Sequence, residues 1–290
     1  MIVAAAALAF TGGAAQAEVL VGVGGPMTGT AQAYGGEISH GAGKAVDDIN
    51  ADGGLLGQTL RTVVSDDAQA VEAARYVALY LRGRKVALVD DRQAYGRGLA
   101  LAFKAAAQSH NIKLVAQEQI DAGQKDFTDL ITSLKQAGAT VIYFGGYYAE
   151  GAMIVRQAKA QGLDATLVGG DGLNDPKFDE IAGEAGDGTL MTFGPDPKLD
   201  HANDKLVSSF GKQGYPPEGY TLYAYSAVQV WAATVARIQS FDADKVEAGL
   251  RTYRFQTALG TLGFTTKGDR TGQGFVMYVW HHGRPVYAQR

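Results

Sequence analysis

Short apolar runs alternate along this chain with longer stretches of helical periodicity. Val19 to Gly24, Leu60 to Ser65, Lys85 to Asp90, Ile112 to Gln119, Thr140 to Phe144 and Ala165 to Gly169 read as buried strands. Between them the apolar positions recur at three- and four-residue spacing. This predicts helices over Glu37–Asn50 (Ala42, Ala45, Val46 and Ile49 on one stripe) and Gln69–Leu81 (Val71, Ala74, Val77, Ala78 and Leu81). Further helices are predicted over Gly98–His110, Phe127–Gln136 and Glu150–Gln161. Gly53-Gly54 stops the first. Strand and helix in turn, with short connections, predict a parallel sheet covered on both faces. Beyond Gly194 the rhythm changes. Pro195, Asp196 and Pro197 mark a break, and helices follow over His201–Gln213, Leu222–Ile238 and Ala243–Arg251. The tail offers a strand, Phe275–Trp280, ending in a turn at His281-His282-Gly283.

The N-terminus carries a different pattern. Ile2 to Phe10 is apolar, and Ala15-Gln16-Ala17 fits a small-x-small cleavage site, so residues 1–17 read as a signal peptide with the mature start near Glu18. No Lys or Arg precedes Lys44, which places the expected basic start further upstream. The competing reading is an apolar strand or helix of the fold. No later run is apolar for long enough to cross a bilayer. The 290 residues suffice for one large or two modest domains. With 46% hydrophobic and 19% charged residues the chain is globular in composition. The net charge of -4 is spread without a basic stripe, so nucleic acid is not an expected partner. The absence of cysteine excludes disulfides and thiol chemistry.

Enzyme signatures fail one by one. Gly22-Val23-Gly24-Gly25 follows a strand, but Met27 stands where a dinucleotide loop needs its third glycine. No phosphate loop and no nucleophile elbow occur. The five histidines lack metal-ligand spacing, and His281-His282 reads as a solvated pair. Asp66-Asp67 and Asp90-Asp91 sit at strand ends; capping of the next helix outweighs a carboxylate dyad there.

Parallel sheets hold ligands at the C-terminal ends of their strands. The loops Gly25–Tyr34, Asp90–Gly96, Gly145–Glu150 and Gly169–Asn174 lie at such ends. Tyr95, Tyr147 and Tyr148 offer broad apolar faces with one polar tip, suited to sandwiching a small ligand; each could equally be a tyrosine packed on its own lobe. Asp171, within Gly169-Gly170-Asp171-Gly172, is either a holder of a ligand ammonium or a turn-stabilising side chain.

These loops resemble those of the periplasmic Leu/Ile/Val-binding proteins of branched-chain amino acid ABC transporters. The similar stretches are Gly24-Gly25-Pro26-Met27-Thr28-Gly29 with Tyr34-Gly35, and Ala45-Val46-Asp47-Asp48-Ile49-Asn50 with Gly53-Gly54. Then come Val86-Ala87-Leu88-Val89-Asp90-Asp91 with Tyr95-Gly96, Gly123 with Lys125-Asp126-Phe127, and Tyr143-Phe144-Gly145-Gly146-Tyr147-Tyr148. Arg156-Gln157-Ala158, Gly169-Gly170-Asp171-Gly172, Glu218-Gly219-Tyr220-Thr221-Leu222-Tyr223 and Lys267-Gly268-Asp269 complete the series, in order and over the whole mature length. The resemblance implies an α/β, two-lobed type I periplasmic binding protein fold with parallel sheets, helices on both faces and three crossing strands. Residues 18–66 and 196–273 would form lobe one; residues 67–195 and 274–290 would form lobe two. It implies a non-enzymatic, monomeric, periplasmic protein without cofactor or metal, which hands an amino acid to an inner-membrane ABC permease. Tyr34, Tyr95 and Tyr147 would pack around the ligand side chain, and Asp171 would receive its α-ammonium. A sensory or regulatory amino acid- or amide-binding protein of the same fold is the alternative.

The departure lies after Asp66-Asp67-Ala68. The resemblance implies about two further βα units there, some seventy residues. This chain passes almost directly to Ala73-Ala74-Arg75-Tyr76, which leaves the first lobe incomplete. The missing loops would be those that grip the ligand carboxylate. Each lost charge-assisted bond is worth roughly 1.5–3 kcal/mol, so losing two would weaken affinity on the order of 10²–10⁴-fold.

Overall fold

A computed structural model of the chain describes residues 32–51, 66–265, 268–272 and 274–288. The expected signal peptide, the strands Val19–Gly24 and Leu60–Ser65 and the Gly53-Gly54 stop lie outside the described residues.

Helix α1 (Gln32–Ala51) comes first, and α2 (Asp66–Tyr80) leads into the alternating series. That series runs β1 (Val86–Asp90), α3 (Ala94–Ser109), β2 (Leu114–Gln119), α4 (Thr128–Ala137), β3 (Val141–Gly145), α5 (Tyr148–Ala160) and β4 (Thr166–Gly169). After a 3₁₀ turn at Asp171–Leu173 come α6 (Lys177–Ala182) and β5 (Leu190–Phe193). The remainder is α7 (Asp204–Lys212), α8 (Thr221–Ile238), α9 (Ala243–Thr252), the hairpin β6 (Phe255–Thr257) and β7 (Gly260–Leu262), and the hairpin β8 (Val276–His281) and β9 (Arg284–Tyr287).

The large sheet has the order β2-β1-β3-β4-β5-β8-β9. Its first five strands pair in parallel, and β8 and β9 add antiparallel to β5. Burial on both faces explains the uninterrupted apolar runs Val86–Val89 and Val141–Phe144. Alternate side chains go to opposite cores. Ala87, Val89, Ile142, Phe144 and Leu167 pack with α4, α5 and α6. Val86, Leu88, Val141, Tyr143 and Val168 pack with α2 and α3. A third core joins α1, α7, α8, α9 and the β6–β7 hairpin, with Ala42, Ala45, Phe210, Trp231 and Val235 at its centre.

Several expectations need correction. Tyr34 belongs to a helix and not to a loop, because α1 starts at Gln32. The stripe of α2 is rotated: Gln69, Ala70, Ala73, Ala74 and Val77 are buried, whereas Val71 is exposed. Alanines dominate this helix, so the exposed Val71 weighs too heavily in its periodicity. His201 to Gln213 is not one helix, since a 3₁₀ turn at His201–Asn203 precedes α7. The strands β5, β6, β7 and β9 and the short α6 carry too few periodic positions to stand out in the sequence.

The sheet order reverses between β1 and β3: β2 lies on one side of β1 and the later strands lie on the other. Such a switch point leaves a crevice at the C-terminal strand ends, where α/β proteins bind ligands. Here backbone packs on backbone. A Cβ on Gly145 would stand 2.1 Å from the carbonyl oxygen of Gly96, and one on Gly96 would stand 2.4 Å from that of Gly145. Only glycine at both positions lets α3 start this close to β3.

Candidate functional site at the strand ends

Four sequence-predicted residues converge at this crevice. Asp171 follows β4 and lies in the first position of the 3₁₀ turn. Tyr95 is in the first turn of α3, just after β1, and its hydroxyl donates to Asp171 Oδ1 at 2.5 Å. The same phenol oxygen accepts the backbone N–H of Gly172 at 2.9 Å. Tyr147, the N-cap of α5 beyond β3, places its ring 5.0 Å from that of Tyr95, tilted by 30°. Tyr34 reaches over from α1, and its hydroxyl donates to the carbonyl of Gly172 at 2.9 Å. Gly172 must remain glycine, since a Cβ there would meet the carbonyl oxygen of Gly146 at 2.6 Å.

Three contributors were not singled out from sequence. Gln69 is fully buried in the first turns of α2. Its Nε2 donates to Asp171 Oδ1 at 2.8 Å, and its Oε1 accepts from the Asp171 N–H at 2.9 Å and from Thr192 Oγ1 at 2.9 Å. One amide thus ties α2, the β4 loop and β5 together. The available signal was a polar side chain sharing the stripe of Ala70, Ala73, Ala74 and Val77. Thr192 is the second contributor. Tyr220 is the third: its ring meets Tyr34 edge-on at 6.2 Å and Phe193 at 4.9 Å.

Burial, reinforced by the Asp171 carboxylate, holds the hydroxyls of Tyr34 and Tyr95 well above the usual phenol range. Both therefore act as hydrogen-bond donors across the physiological range. One turn along α1, Glu37 Oε2 accepts the Tyr220 N–H at 3.0 Å, at the start of α8. Burial, then the nearby Asp175 and Glu218 carboxylates, push the Glu37 carboxyl up to about 8 against a small opposing effect of Lys198. Asp175 is buried as well; its Oδ1 accepts the Lys177 N–H at 2.8 Å at the start of α6.

Other predicted positions fall elsewhere. Tyr148 is buried against the α4–α5 core. Asp90 Oδ1 and Asp91 Oδ1 accept the N–H groups of Arg92 and Gln93, each at 2.9 Å. They brace the turn that leads into α3 but do not cap the helix, whose N-cap is Gln93 without a side-chain cap bond. The side chains of Asp66 and Asp67 lie outside the described residues. A cavity of about 500 Å³ adjoins the cluster, lined in part by Asn174, Phe193, Lys198, Glu218 and Gly219; Tyr34, Tyr95, Tyr147 and Asp171 are not among its walls.

The Gln69 fork makes a measurable prediction. Gln69→Leu keeps nearly the volume but leaves the Asp171 N–H without its acceptor and Asp171 Oδ1 without one donor, and Thr192 keeps only the longer bond to the Gly169 carbonyl. Unfolding in urea should show a stability loss of about 2–4 kcal/mol, on the scale of unsatisfied buried polar groups. A loss below about 0.5 kcal/mol would show that the fork is dispensable.

A doubly covered parallel sheet with polar and aromatic side chains gathered at its switch point defines the class of α/β ligand-binding folds. The chain belongs to the periplasmic binding protein family, whose profile matches residues 67–284. Among curated relatives, the Leu/Ile/Val-binding protein homolog 1 of Brucella abortus is 33% identical and is covered over 95% of its length by 97% of this chain. That alignment runs over 353 positions, and the excess over the 290 residues here means that more than sixty of them face no residue of this chain. Among solved structures, the leucine-binding protein LivK of Thermotoga maritima superposes with a TM-score of 0.78 at 22% identity, over 91% of this chain and 96% of that one. The branched-chain amino acid transporter substrate-binding protein LivJ of Streptococcus pneumoniae, in complex with isoleucine, gives 0.76 at 22% identity, over 89% and 95%. The fold is that of the type I periplasmic binding proteins. Among the described residues, no helix is long and apolar enough to cross a membrane.

Proposed function

We propose that this chain is an extracytoplasmic solute-binding protein. It captures an aliphatic amino acid and passes it to an ABC permease, without catalysis. The observation that carries this reading is the convergence of Asp171, Tyr95, Tyr147 and Tyr34 at the switch point. An acid supplied with donors on one side can face an ammonium on the other. The paired rings of Tyr95 and Tyr147 offer an apolar wall for an aliphatic side chain. The names of the relatives favour leucine, isoleucine or valine as the ligand.

In this reading residues 67–195 and 274–290 form one lobe, residues 18–66 and 196–273 the other, and ligand closes them. The contact of Tyr34 on α1 with Gly172 on the opposite side is the latch. The absent stretch belongs after Ala68. Its junction falls inside α2, which runs without a break from Asp66 to Tyr80. The loss of the carboxylate-gripping loops leaves an ammonium grip and an apolar wall, so the expected affinity is weak.

Thermal shift measurements with a panel of L-amino acids up to about 10 mM test the proposal. Leucine, isoleucine or valine should raise the melting temperature, and Asp171→Asn should weaken the response by at least about tenfold in midpoint, the scale of one charge-assisted hydrogen bond. The proposal fails if no aliphatic amino acid stabilises the protein, or if the Asn variant responds like the parent.

A further inference from the structure

Two histidines and an aspartate from distant parts of the sequence meet at the opposite end of the sheet from the tyrosine cluster. His281 ends β8 and His282 opens the turn to β9. Asp187 lies just before β5, beside which β8 runs antiparallel. One donor atom from each of the three lies within 4.8 Å of the other two, and all three residues are exposed. Asp187 Oδ2 stands 3.5 Å from His282 Nδ1, and the two imidazole centroids are 4.1 Å apart.

Backbone contacts fix this arrangement. The Gly188 N–H donates to the Trp280 carbonyl at 2.9 Å, and the Trp280 N–H donates to the Thr189 carbonyl at 2.8 Å. These bonds hold the Asp187 turn against the end of β8. The two-residue turn has positive φ at both positions, 48° at His282 and 77° at Gly283, as a type I′ hairpin requires. The His282 N–H, pointing out of that turn, donates to Asp187 Oδ1 at 2.9 Å. The other carboxylate oxygen is thereby turned toward the imidazole. The carboxylate of Asp179 on α6 packs against Gly283 and adds negative charge beside the group.

The donor atoms lie within 4.8 Å of one another, with one pair at 3.5 Å, so side-chain rotations of about an ångström would bring them to the spacing of a metal site. Ligands about 2.0–2.2 Å from a tetrahedral zinc ion lie roughly 3.4 Å from one another. Imidazole nitrogen with one carboxylate oxygen suits borderline divalent ions and not calcium or magnesium, which prefer oxygen alone. We infer that Asp187, His281 and His282 form a three-ligand surface site for a divalent transition metal of the zinc type, with the fourth position left to water. Two neighbouring histidines have no ligand spacing along a chain; the third ligand becomes visible only when the sheet brings residue 187 to residue 282.

Untagged protein freed of metal by chelator and titrated calorimetrically with zinc chloride tests the site. One zinc ion per chain should bind saturably. His281→Ala, His282→Asn and Asp187→Asn should each weaken binding by at least about tenfold, since even an outer-shell partner of a metal ligand is worth about 10–100-fold. His282→Asn creates the Asn-Gly pair that type I′ turns favour, and Asn at 187 keeps an oxygen for the His282 N–H, so both variants retain the hairpin. Circular dichroism verifies this, and His201→Ala serves as the control that leaves zinc binding unchanged. The inference is overturned if the parent shows no saturable uptake, or if the three variants bind zinc as the parent does.

Discussion

Glu37→Gln is expected to make the protein more stable above pH 8 while leaving it nearly unchanged at pH 4.5. In the folded chain the Glu37 carboxyl keeps its proton up to about pH 8, because burial and the Asp175 carboxylate oppose its charge. In the unfolded chain it releases that proton near its ordinary value of 4.5. The folded state therefore binds more protons than the unfolded state between these limits, and stability falls as pH rises through the window. A separation of this size corresponds to several kcal/mol, all of it lost once pH passes the folded value. Glutamine keeps an oxygen to accept the Tyr220 N–H but has no charge to bury. The melting temperature of the variant at pH 8.5 should exceed that of the parent by roughly 5–10 °C, since 1 kcal/mol moves a domain of this size by about 2–4 °C. Melting curves of parent and variant that stay parallel from pH 4.5 to 8.5 would show that the carboxyl is not protonated in the fold.

The second large effect concerns the absent stretch. Inserting the corresponding seventy or so residues of the Brucella abortus relative between Ala68 and Gln69 should raise leucine affinity by about 10²–10⁴-fold, the equivalent of two charge-assisted hydrogen bonds to the carboxylate. Calorimetric titration with leucine reads this directly. An insert that folds, by circular dichroism, without improving affinity would place the carboxylate grip elsewhere. Sub-micromolar leucine binding by the uninterrupted chain would likewise show that the shortened lobe already holds the carboxylate.

The sheet was legible because its strands are buried on both faces, which turns Val86–Val89 and Val141–Phe144 into continuous apolar runs with few alternatives. Helix α2 was legible in extent but not in orientation. Alanine contributes little to periodicity, and the bulky Val71 points to solvent, as do Leu79 and Tyr80. The strands at the β5 and β9 positions have four residues each, too few to register a period. Within the candidate site, Tyr95, Tyr147 and Asp171 stand just after strand ends and could be read from position, whereas Tyr34, in α1, was reached only through the family resemblance. Gln69 could not, because its role is to join residues 102 and 123 positions away. Such a partner is defined only by the register of β4 and β5. The same holds for Asp187, which sits 95 positions from the histidine it meets.

The Gln69 amide has a consequence for how such a chain can persist. The acid, the phenol and the amide that orient one another all come from residues 69 to 192, on the uninterrupted side of the junction within α2. The bonds that Gln69, Tyr95 and Thr192 make around Asp171 thus need no residue upstream of α2. Under the proposed reading, a chain shortened ahead of this point gives up its hold on one end of a zwitterion while the framework that orients Asp171 for the other end stays intact.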